Sequence, residues 1–295
     1  MGGLPAKNVA LLSASQITCL TPSNTVYGSM PVVLRTAGGS ATNLNGFTYG
    51  VVRGTNIDLV ASIGGRIDAV AVNGNYCYLG QGSTFIVMDV SNPASPFPVG
   101  RRPLQGVIGD IAVFTQNERT YACVAARDSG LFVVDVTNPI EPALTGFYKT
   151  PGFCYGVAVL GGFAYVADGS GGLEVFDLAN PSAPALRSAV PQAGFANEVV
   201  VKATASGVFA YLSTGGGLRI VDVSDPHVPV VRGYVGFGQW TLNIAVTSNR
   251  AFLTTQGHSW MADISNPDNP TSLERVLKSD NSTLTLLYKV GGTYS

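Results

Sequence analysis

Residues 218–229 read Leu-Arg-Ile-Val-Asp-Val-Ser-Asp-Pro-His-Val-Pro, and close copies of this phrase occur four more times along the chain. Each copy combines an apolar run, an aspartate and a proline-containing exit. The aspartates of the five copies are 46, 42, 45 and 41 residues apart, at Asp89, Asp135, Asp177, Asp222 and Asp263. A period in the low forties, filled with short β-branched and aromatic runs, predicts the four-stranded blades of a β-propeller.

The third repeat illustrates the predicted blade. A first strand, 156–160, turns at two glycines into a second strand, 163–167, and the hairpin 168–172 leads to a third strand, 173–177. On this pattern five full blades are predicted at about 64–105, 106–151, 152–193, 194–235 and 236–278, within a propeller domain that covers residues 51–295.

Both ends of the repeat array carry incomplete blade patterns. Residues 283–294 align with the first two strands of a blade, so another blade is expected to start at 279–295. Residues 57–63 resemble an outer strand without a blade of its own. Because closure removes exposed sheet edges, we expect a strand from one end to complete the blade supplied by the other. The incomplete patterns also predict an internal piece of a longer reading frame.

The composition is that of a well-buried β protein. Apolar residues make up 46% of the 295 residues and charged residues 12%, while 36 Gly and 17 Pro supply turns between short strands. A formal net charge of −1 provides no field that would collect phosphates, so nucleic acid is not an expected partner. No run approaches the length that crosses a bilayer, so membrane insertion is not expected.

Residues 1–50 do not show the sequence pattern of the repeats. They contain the phrase Ser15-Gln-Ile-Thr-Cys-Leu-Thr-Pro22, a strand and turn over 32–39, and the closing phrase Gly46-Phe-Thr-Tyr49. On these features the segment resembles the second half of an IPT/TIG domain, which is an immunoglobulin-like sandwich. The resemblance implies a truncated sandwich whose opening strands would precede Met1.

The repeats resemble the LVIVD repeat family of β-propellers, because strand, aspartate, Ser-Asn-Pro exit and spacing recur together between about 57 and 294. The resemblance implies a secreted or surface-exposed prokaryotic protein, often beside immunoglobulin-like modules. It implies no catalytic residue. The expected location is therefore extracellular or at the cell surface, although the N-terminus carries no signal-peptide pattern.

The five repeat aspartates are predicted to be scaffolding. Each precedes a turn in which Pro fixes φ, and the carboxylate is expected to accept loop amide hydrogens. The four cysteines show no metal-ligand spacing, so no metal site is predicted. The hairpin Asp168-Gly-Ser-Gly-Gly suggests calcium only weakly, because a tight hairpin needs the same residues. No cofactor is expected.

A candidate ligand-binding face is predicted where the repeat copies differ from one another. The loops into first strands and the hairpins between second and third strands are expected on this face. Its candidate residues are Asp68, Asp110, Tyr155, Glu198, Trp240, Asn243 and His258. Carboxylates, amides and aromatic rings suit a carbohydrate or protein ligand, and a hydrated polar rim is the alternative interpretation.

The predicted function is non-enzymatic binding, adhesion or structural display by a secreted or cell-surface protein. The alternative is an extracellular carbohydrate-active enzyme, a hydrolase or lyase with its site at the axial mouth, in which Asp68, Asp110 and Glu198 supply an acid and a base. A third hypothesis is an intracellular assembly scaffold. Two carboxyl groups facing each other across a cleft lined by Trp240 would favour the enzyme, and carboxylates spread around a rim would favour binding.

Overall fold

The computed structural model describes the strands between residues 7 and 49 and the segment 67–278 apart from residue 256, with side chains from 67 to 273. The chain divides into two compact units, Met1–Leu59 and Val60–Ser295. Regular structure in the described residues consists of β-strands and one 3-10 turn, Pro191–Ala193, without any α-helix. The predicted all-β class is confirmed.

The first unit contains strands that form two antiparallel pairs. The strands are β1 (Lys7–Ser13), β2 (Gln16–Leu20), β3 (Gly28–Thr36) and β4 (Gly39–Tyr49). β1 pairs with β2, and β3 pairs with β4. The assignment of residues 1–50 to a partial IPT/TIG domain stays a prediction.

In the second unit, the described residues 67–278 form five antiparallel four-stranded sheets, in each of which the strands lie in chain order. The first sheet is β5 (Ala69–Asn73), β6 (Tyr76–Gln81), β7 (Thr84–Asp89) and β8 (Phe97–Pro103); the second is β9 (Asp110–Gln116), β10 (Arg119–Ala125), β11 (Leu131–Asp135) and β12 (Ala143–Tyr148); the third is β13 (Gly156–Leu160), β14 (Phe163–Ala167), β15 (Leu173–Asp177) and β16 (Ala185–Val190); the fourth is β17 (Ala196–Thr204), β18 (Gly207–Thr214), β19 (Gly217–Asp222) and β20 (Val230–Gly236); the fifth is β21 (Thr241–Val246), β22 (Arg250–Thr255), β23 (His258–Asp263) and β24 (Thr271–Lys278). The predicted four-stranded repeat is therefore confirmed.

Tight turns and apolar third strands account for these sheets. Gly161 and Gly162 join β13 to β14 with φ of 61° and 81°, a left-handed conformation that glycine adopts without steric cost. Every residue of β11 is buried, because both faces of this strand pack against neighbouring sheets. One buried cluster joins Phe85 of β7 to Val124 of β10, so the core lies between successive sheets.

The first strands of the sheets lie side by side, and four of them line a common cavity. β5, β9, β13, β17 and β21 neighbour one another in that order. Four of them, β5, β9, β13 and β17, line a cavity of about 430 Å³ whose walls include Val70, Ile111, Ala158 and Val200. First strands grouped around one cavity are typical of propellers, so the described part of the second unit is propeller-like.

Each third strand ends in two successive turns made by side chains. The five repeat aspartates accept a hydrogen bond at 2.7–3.0 Å from the amide two residues later. Three positions further on, a second side chain makes the same contact, from Asn92, Asn138, Asn180, Asp225 and Asn266. Such Asx turns provide acceptors for backbone amides that no longer pair with a neighbouring strand. The repeat aspartates therefore stabilise the loop that follows each third strand.

A small residue in the fourth strand packs each sheet against the next one. A Cβ atom added at Gly100, Gly146 or Gly233 would lie 2.2–2.3 Å from a proline carbonyl oxygen in the following sheet. In the third sheet Ser188 occupies this position, and its hydroxyl donates to the carbonyl of Pro226 at 2.7 Å. The fourth strand therefore touches the proline exit of its neighbour directly.

Two segments predicted from the repeat pattern, 57–63 and 283–294, lie outside the described residues. The completion of a blade by the two chain ends therefore stays a prediction. Among the residues that the structure describes, no helix is long and apolar enough to pass through a bilayer.

Candidate ligand-binding site

Four of the five first strands share one register position, at which each pairs with an equivalent residue of its second strand. This position is occupied by Asp110, Gly156, Glu198 and Asn243. We call the three residues before it the lead-in of each of these four sheets. The middle residue of every lead-in is fully buried, at 0% exposure, and these residues are Ile108, Cys154, Ala196 and Thr241.

The buried middle residue anchors each lead-in to the hairpin of the preceding sheet. Ile108 donates its amide hydrogen to Gly82 at 2.8 Å, and Cys154 exchanges two backbone hydrogen bonds of 2.9 Å with Arg127. Ala196 pairs with Gly169 in the same two-bond manner. In the fifth sheet the Thr241 hydroxyl instead donates to the carbonyl of Thr214 at 2.6 Å. The lead-ins are therefore held at every junction from the first sheet to the fifth, by backbone hydrogen bonds at three junctions and by the Thr241 hydroxyl at the fourth.

The residue before each anchored position points outward, and in three successive sheets it is aromatic. Phe153 is 49% exposed and Trp240 is 47% exposed, while Phe195 is half-buried. Together with Tyr155 these rings form a continuous row. Centroid separations are 5.9 Å from Phe153 to Tyr155, 5.9 Å from Tyr155 to Phe195, and 4.8 Å from Phe195 to Trp240. We call Phe153, Tyr155, Phe195 and Trp240 the aromatic arc.

Glycines in the hairpins leave space for these rings. A Cβ atom added at Gly169 would lie 3.2 Å from the Tyr155 ring and 3.4 Å from the Phe195 ring. One added at Gly215 would lie 3.1 Å from the Trp240 ring. The rings thus rest on backbone that carries no side chain, and their positions are set by the hairpins beneath them.

The structure places two of the seven predicted face residues, Tyr155 and Trp240, in the aromatic arc. Sequence reasoning missed the other two members, Phe153 and Phe195. A signal for them was present, because each stands three residues before its register position, as Trp240 does. The bulge at the start of β17 obscured this spacing in the fourth sheet.

Asp110 and Glu198 lie on either side of the start of β13. The Asp110 carboxylate is buried and accepts the amide hydrogen of Val157 at 2.9 Å. A Cβ atom added at Gly156 would lie 3.0 Å from a carboxylate oxygen of Glu198, which also accepts the amide hydrogen of Val199 at 3.2 Å. Both carboxylates thus contact the backbone of the first strands.

The remaining predicted face residues are more scattered. Asn243 is exposed at the shared register position of the fifth sheet, and Asp68 is half-buried one residue before β5. His258 is half-buried at the start of β23, with its ring Nδ1 buried and unpartnered.

The described residues contain no group of three or more His, Cys, Asp or Glu side chains arranged to hold a metal ion. Cys77, Cys123 and Cys154 are free thiols. Burial raises the pKa of all three.

The family comparison agrees with this repeat geometry. The LVIVD repeat profile matches residues 64–101, 117–150, 151–191 and 193–236, which is more than half of the chain. The chain belongs to the LVIVD repeat family. The matched LVIVD segments end at residue 236, and the structure continues the same four-strand pattern in a fifth sheet. The comparison with curated proteins finds no match.

Solved structures resemble this LVIVD repeat protein in fold. The designed protein Ika8 superposes with a TM-score of 0.52 and 13% identity over 71% of this chain and 61% of its own. A functionally unknown protein from Desulfotomaculum acetoxidans gives 0.60 and 12% over 71% of its length and 73% of this chain. The periplasmic gluconolactonase PpgL of Pseudomonas aeruginosa gives 0.57 and 15% over 69% of its length and 70% of this chain. At these identities the likeness is one of fold.

Proposed function

We propose that this LVIVD repeat protein is a non-catalytic, extracellular or cell-surface binding module whose aromatic arc holds a carbohydrate. The observation that carries the proposal is the row of four aromatic rings in mutual contact on one face, with two of them about half exposed. Adhesion or surface display would follow from binding at this face.

The arc has the physical properties of a preformed recognition surface. Exposed apolar rings cost free energy in water, so a contiguous group of them favours a partner that covers them. Backbone hydrogen bonds at Cys154 and Ala196 fix the lead-ins before any ligand binds. This preorganisation lowers the entropic cost of binding. Large rings with few rotatable bonds also give much contact area for little loss of freedom.

A carbohydrate fits the chemistry of the arc better than an ionic ligand does. Sugar rings present flat apolar C–H faces that pack on aromatic rings, and their hydroxyls need neutral or acidic hydrogen-bond partners. Asn243 is exposed and Glu198 is half-exposed at the shared register position, next to the lead-ins. Tyr155 adds a phenolic hydroxyl at the row itself.

The alternative of a carbohydrate-active enzyme draws less support. Such chemistry needs two carboxyl groups at a defined separation across the substrate. The two candidates that flank β13, Asp110 and Glu198, contact backbone amides at 2.9 Å and 3.2 Å, which favours a structural role for both.

The test is binding of the full chain to insoluble cellulose, chitin and peptidoglycan, measured by co-sedimentation. We expect retention on at least one polymer, and we expect Trp240→Ala and Phe195→Ala to weaken it by about ten- to a hundred-fold, as for central aromatic contacts. Phe97→Ala is the matched control, because Phe97 is 52% exposed in β8 and has no place in the arc.

Two results would overturn the proposal. Retention that Trp240→Ala and Phe97→Ala reduce equally would remove the arc from the binding surface. Absence of retention on all three polymers would exclude the carbohydrate and leave a protein ligand as the partner to seek. The surface location is tested separately, by protease accessibility of the protein on intact producing cells.

A further inference from the structure

Two acidic side chains lie buried beside each other under the aromatic arc. Asp168 is 0% exposed and Glu174 is 2% exposed. Glu174 pairs with Val166 across β14 and β15, and Asp168 follows Val166 by two residues. Residues two apart in a strand point to the same face, so Asp168 and Glu174 are diagonal neighbours at the base of one hairpin.

The second sheet provides an internal comparison for this pair. Its hairpin, 126–130, makes the same backbone hydrogen bonds as the hairpin 168–172 of the third sheet. At the equivalent positions it carries Ala126 and Phe132, which are both buried. The fold therefore needs no acid at either place, and the third sheet departs from the pattern with two.

The pair lacks the partners that buried carboxylates normally require. Asp168 accepts one hydrogen bond, from the amide of Gly152 at 2.7 Å. Its other oxygen and one oxygen of Glu174 are buried without a hydrogen-bond partner, while the neighbouring hydroxyl of Thr150 lowers the pKa of Asp168. Two buried carboxylates that each keep an unpartnered oxygen repel each other and are poorly solvated, so the charged state of the pair is costly.

Other titratable groups around the pair do not neutralise it. The thiol of Cys154 and the carboxylate of Asp110 lie on the segments that pack against the hairpin, and both acids raise the pKa of that thiol. Lys149 lowers the pKa of Asp168 by its charge but donates its ammonium hydrogen to the carbonyl of Asp128. The nearby Arg127 has a buried, unpartnered Nε. Within the described residues, neither acid forms an ion pair.

We infer that Asp168 and Glu174 together form a proton-binding site that controls the hairpin supporting the aromatic arc. When the pair holds a proton the hairpin 168–172 is closed. When the proton leaves, repulsion between the carboxylates loosens the hairpin. Gly169 then loses its fixed place under Tyr155 and Phe195, and the arc is no longer preformed. This inference rests on the proposed binding function of the arc.

The direction of the pKa shifts agrees with this site. Burial, followed by the charge of Asp168, raises the pKa of Glu174 to about 7, and burial also raises the pKa of Asp168. An acid whose pKa is higher in the folded state is protonated there while the unfolded chain is charged. The pair therefore does not destabilise the fold at or below about pH 4.5, its destabilising effect grows as the pH rises toward 7, and it is constant above that.

The first experiment is amide hydrogen exchange of the wild-type chain between pH 5.5 and 8.5, with protection corrected for the intrinsic exchange rates. We expect protection in the hairpin 168–172 to fall roughly tenfold or more over this range, while the matched hairpin 126–130 changes little. Glu174→Gln should remove the difference between the two hairpins. Equal behaviour of both hairpins in the wild-type chain would overturn the inference without recourse to any variant.

A second measurement separates a proton from a cation. If 1 mM Ca²⁺ at pH 8.5 restores the protection seen at pH 5.5, the pair binds a metal ion and the inference is wrong. Polymer binding is then compared at the two pH values. Weaker retention at pH 8.5 in the wild-type chain, but not in Glu174→Gln, links the pair to the arc. The exchange result needs no ligand, so it stands or falls independently of the proposed function.

Discussion

Gly146 in β12 contacts the carbonyl oxygen of Pro181 so closely that an added Cβ atom would lie 2.2 Å from it. The two residues belong to neighbouring sheets, and the same contact recurs with Gly100 and Pro139 and with Gly233 and Pro267. A repeat of about forty residues cannot shield its own apolar surfaces, so its stability depends on such contacts between sheets.

The first prediction concerns this contact. Gly146→Val should destabilise the protein by at least about 1–3 kcal/mol, because the partner atom is backbone and cannot turn away. Thermal unfolding measures the change. Leu144→Ala, at an exposed position of the same strand, should alter stability by less than about 0.5 kcal/mol. A Gly146→Val protein as stable as the control would contradict the proposed packing.

The second prediction separates backbone strain from ring support. Gly169 and Gly161 have φ of 55° and 61°, so alanine at either position carries a similar backbone cost of about 1–2 kcal/mol. Only Gly169 lies under rings of the arc, since a Cβ at Gly161 meets nothing within 4 Å. Gly169→Ala should therefore weaken polymer binding, whereas Gly161→Ala should lose stability alone. Similar binding by both variants would exclude the supporting role of the hairpin.

The third prediction concerns the repeat aspartate of the third sheet. The amide of Ala179 and then the guanidinium of Arg187 lower the pKa of Asp177 by stabilising its charged form. An acid with a lowered pKa in the folded state stabilises the protein above its unfolded pKa of about 3.9 and loses that effect as the pH falls. Asp177→Ala should cost about 1–2 kcal/mol at pH 7 and less at pH 3.

Denaturant titrations at both pH values measure this difference. Asp128→Asn is the control, because Asp128 is exposed in a hairpin. A cost of Asp177→Ala that does not shrink on acidification would mean that the charge of Asp177 contributes nothing to the exit turn.

The fourth prediction concerns the free thiols. Cys123 and Cys154 are fully buried and Cys77 is half-buried, and burial raises the pKa of each thiol and so lowers its thiolate fraction. In the native protein at pH 8, iodoacetamide should label Cys77 faster than the other two. Peptide mapping by mass spectrometry resolves the sites, and all three should react after unfolding in urea. Rapid native labelling of Cys154 would contradict the packing of the third-sheet lead-in.

Much of the fold was predictable because the structure of each repeat depends on contacts between residues that are close in the sequence. The apolar third strand, the aspartate and the proline exit are contiguous in sequence, and the side-chain hydrogen bonds of the exit join residues two apart. Repetition made the signal strong, since a chance match would not recur five times at one spacing. Tyr155 and Trp240 were selected as polar or aromatic departures from the repeat, and the structure places both in the arc.

The rest of the site was not predictable from residue types alone. Phe195 reads as an ordinary apolar residue, and only the bulge at the start of β17 and its contact with Trp240 place it in the row. Asp168 reads as a turn residue, and Glu174 as an acid in a strand. Their proximity depends on the register of β14 against β15, which the sequence does not state.

The sequence by itself determined the number and order of strands in each repeat and the chemistry of the exits, because those depend on contacts between residues close in the chain. The tertiary structure alone decided which outward-facing rings meet and which acids lie buried together. Those relations arise between sheets or across a strand pair, where a shift of one residue would send every side chain to the opposite face.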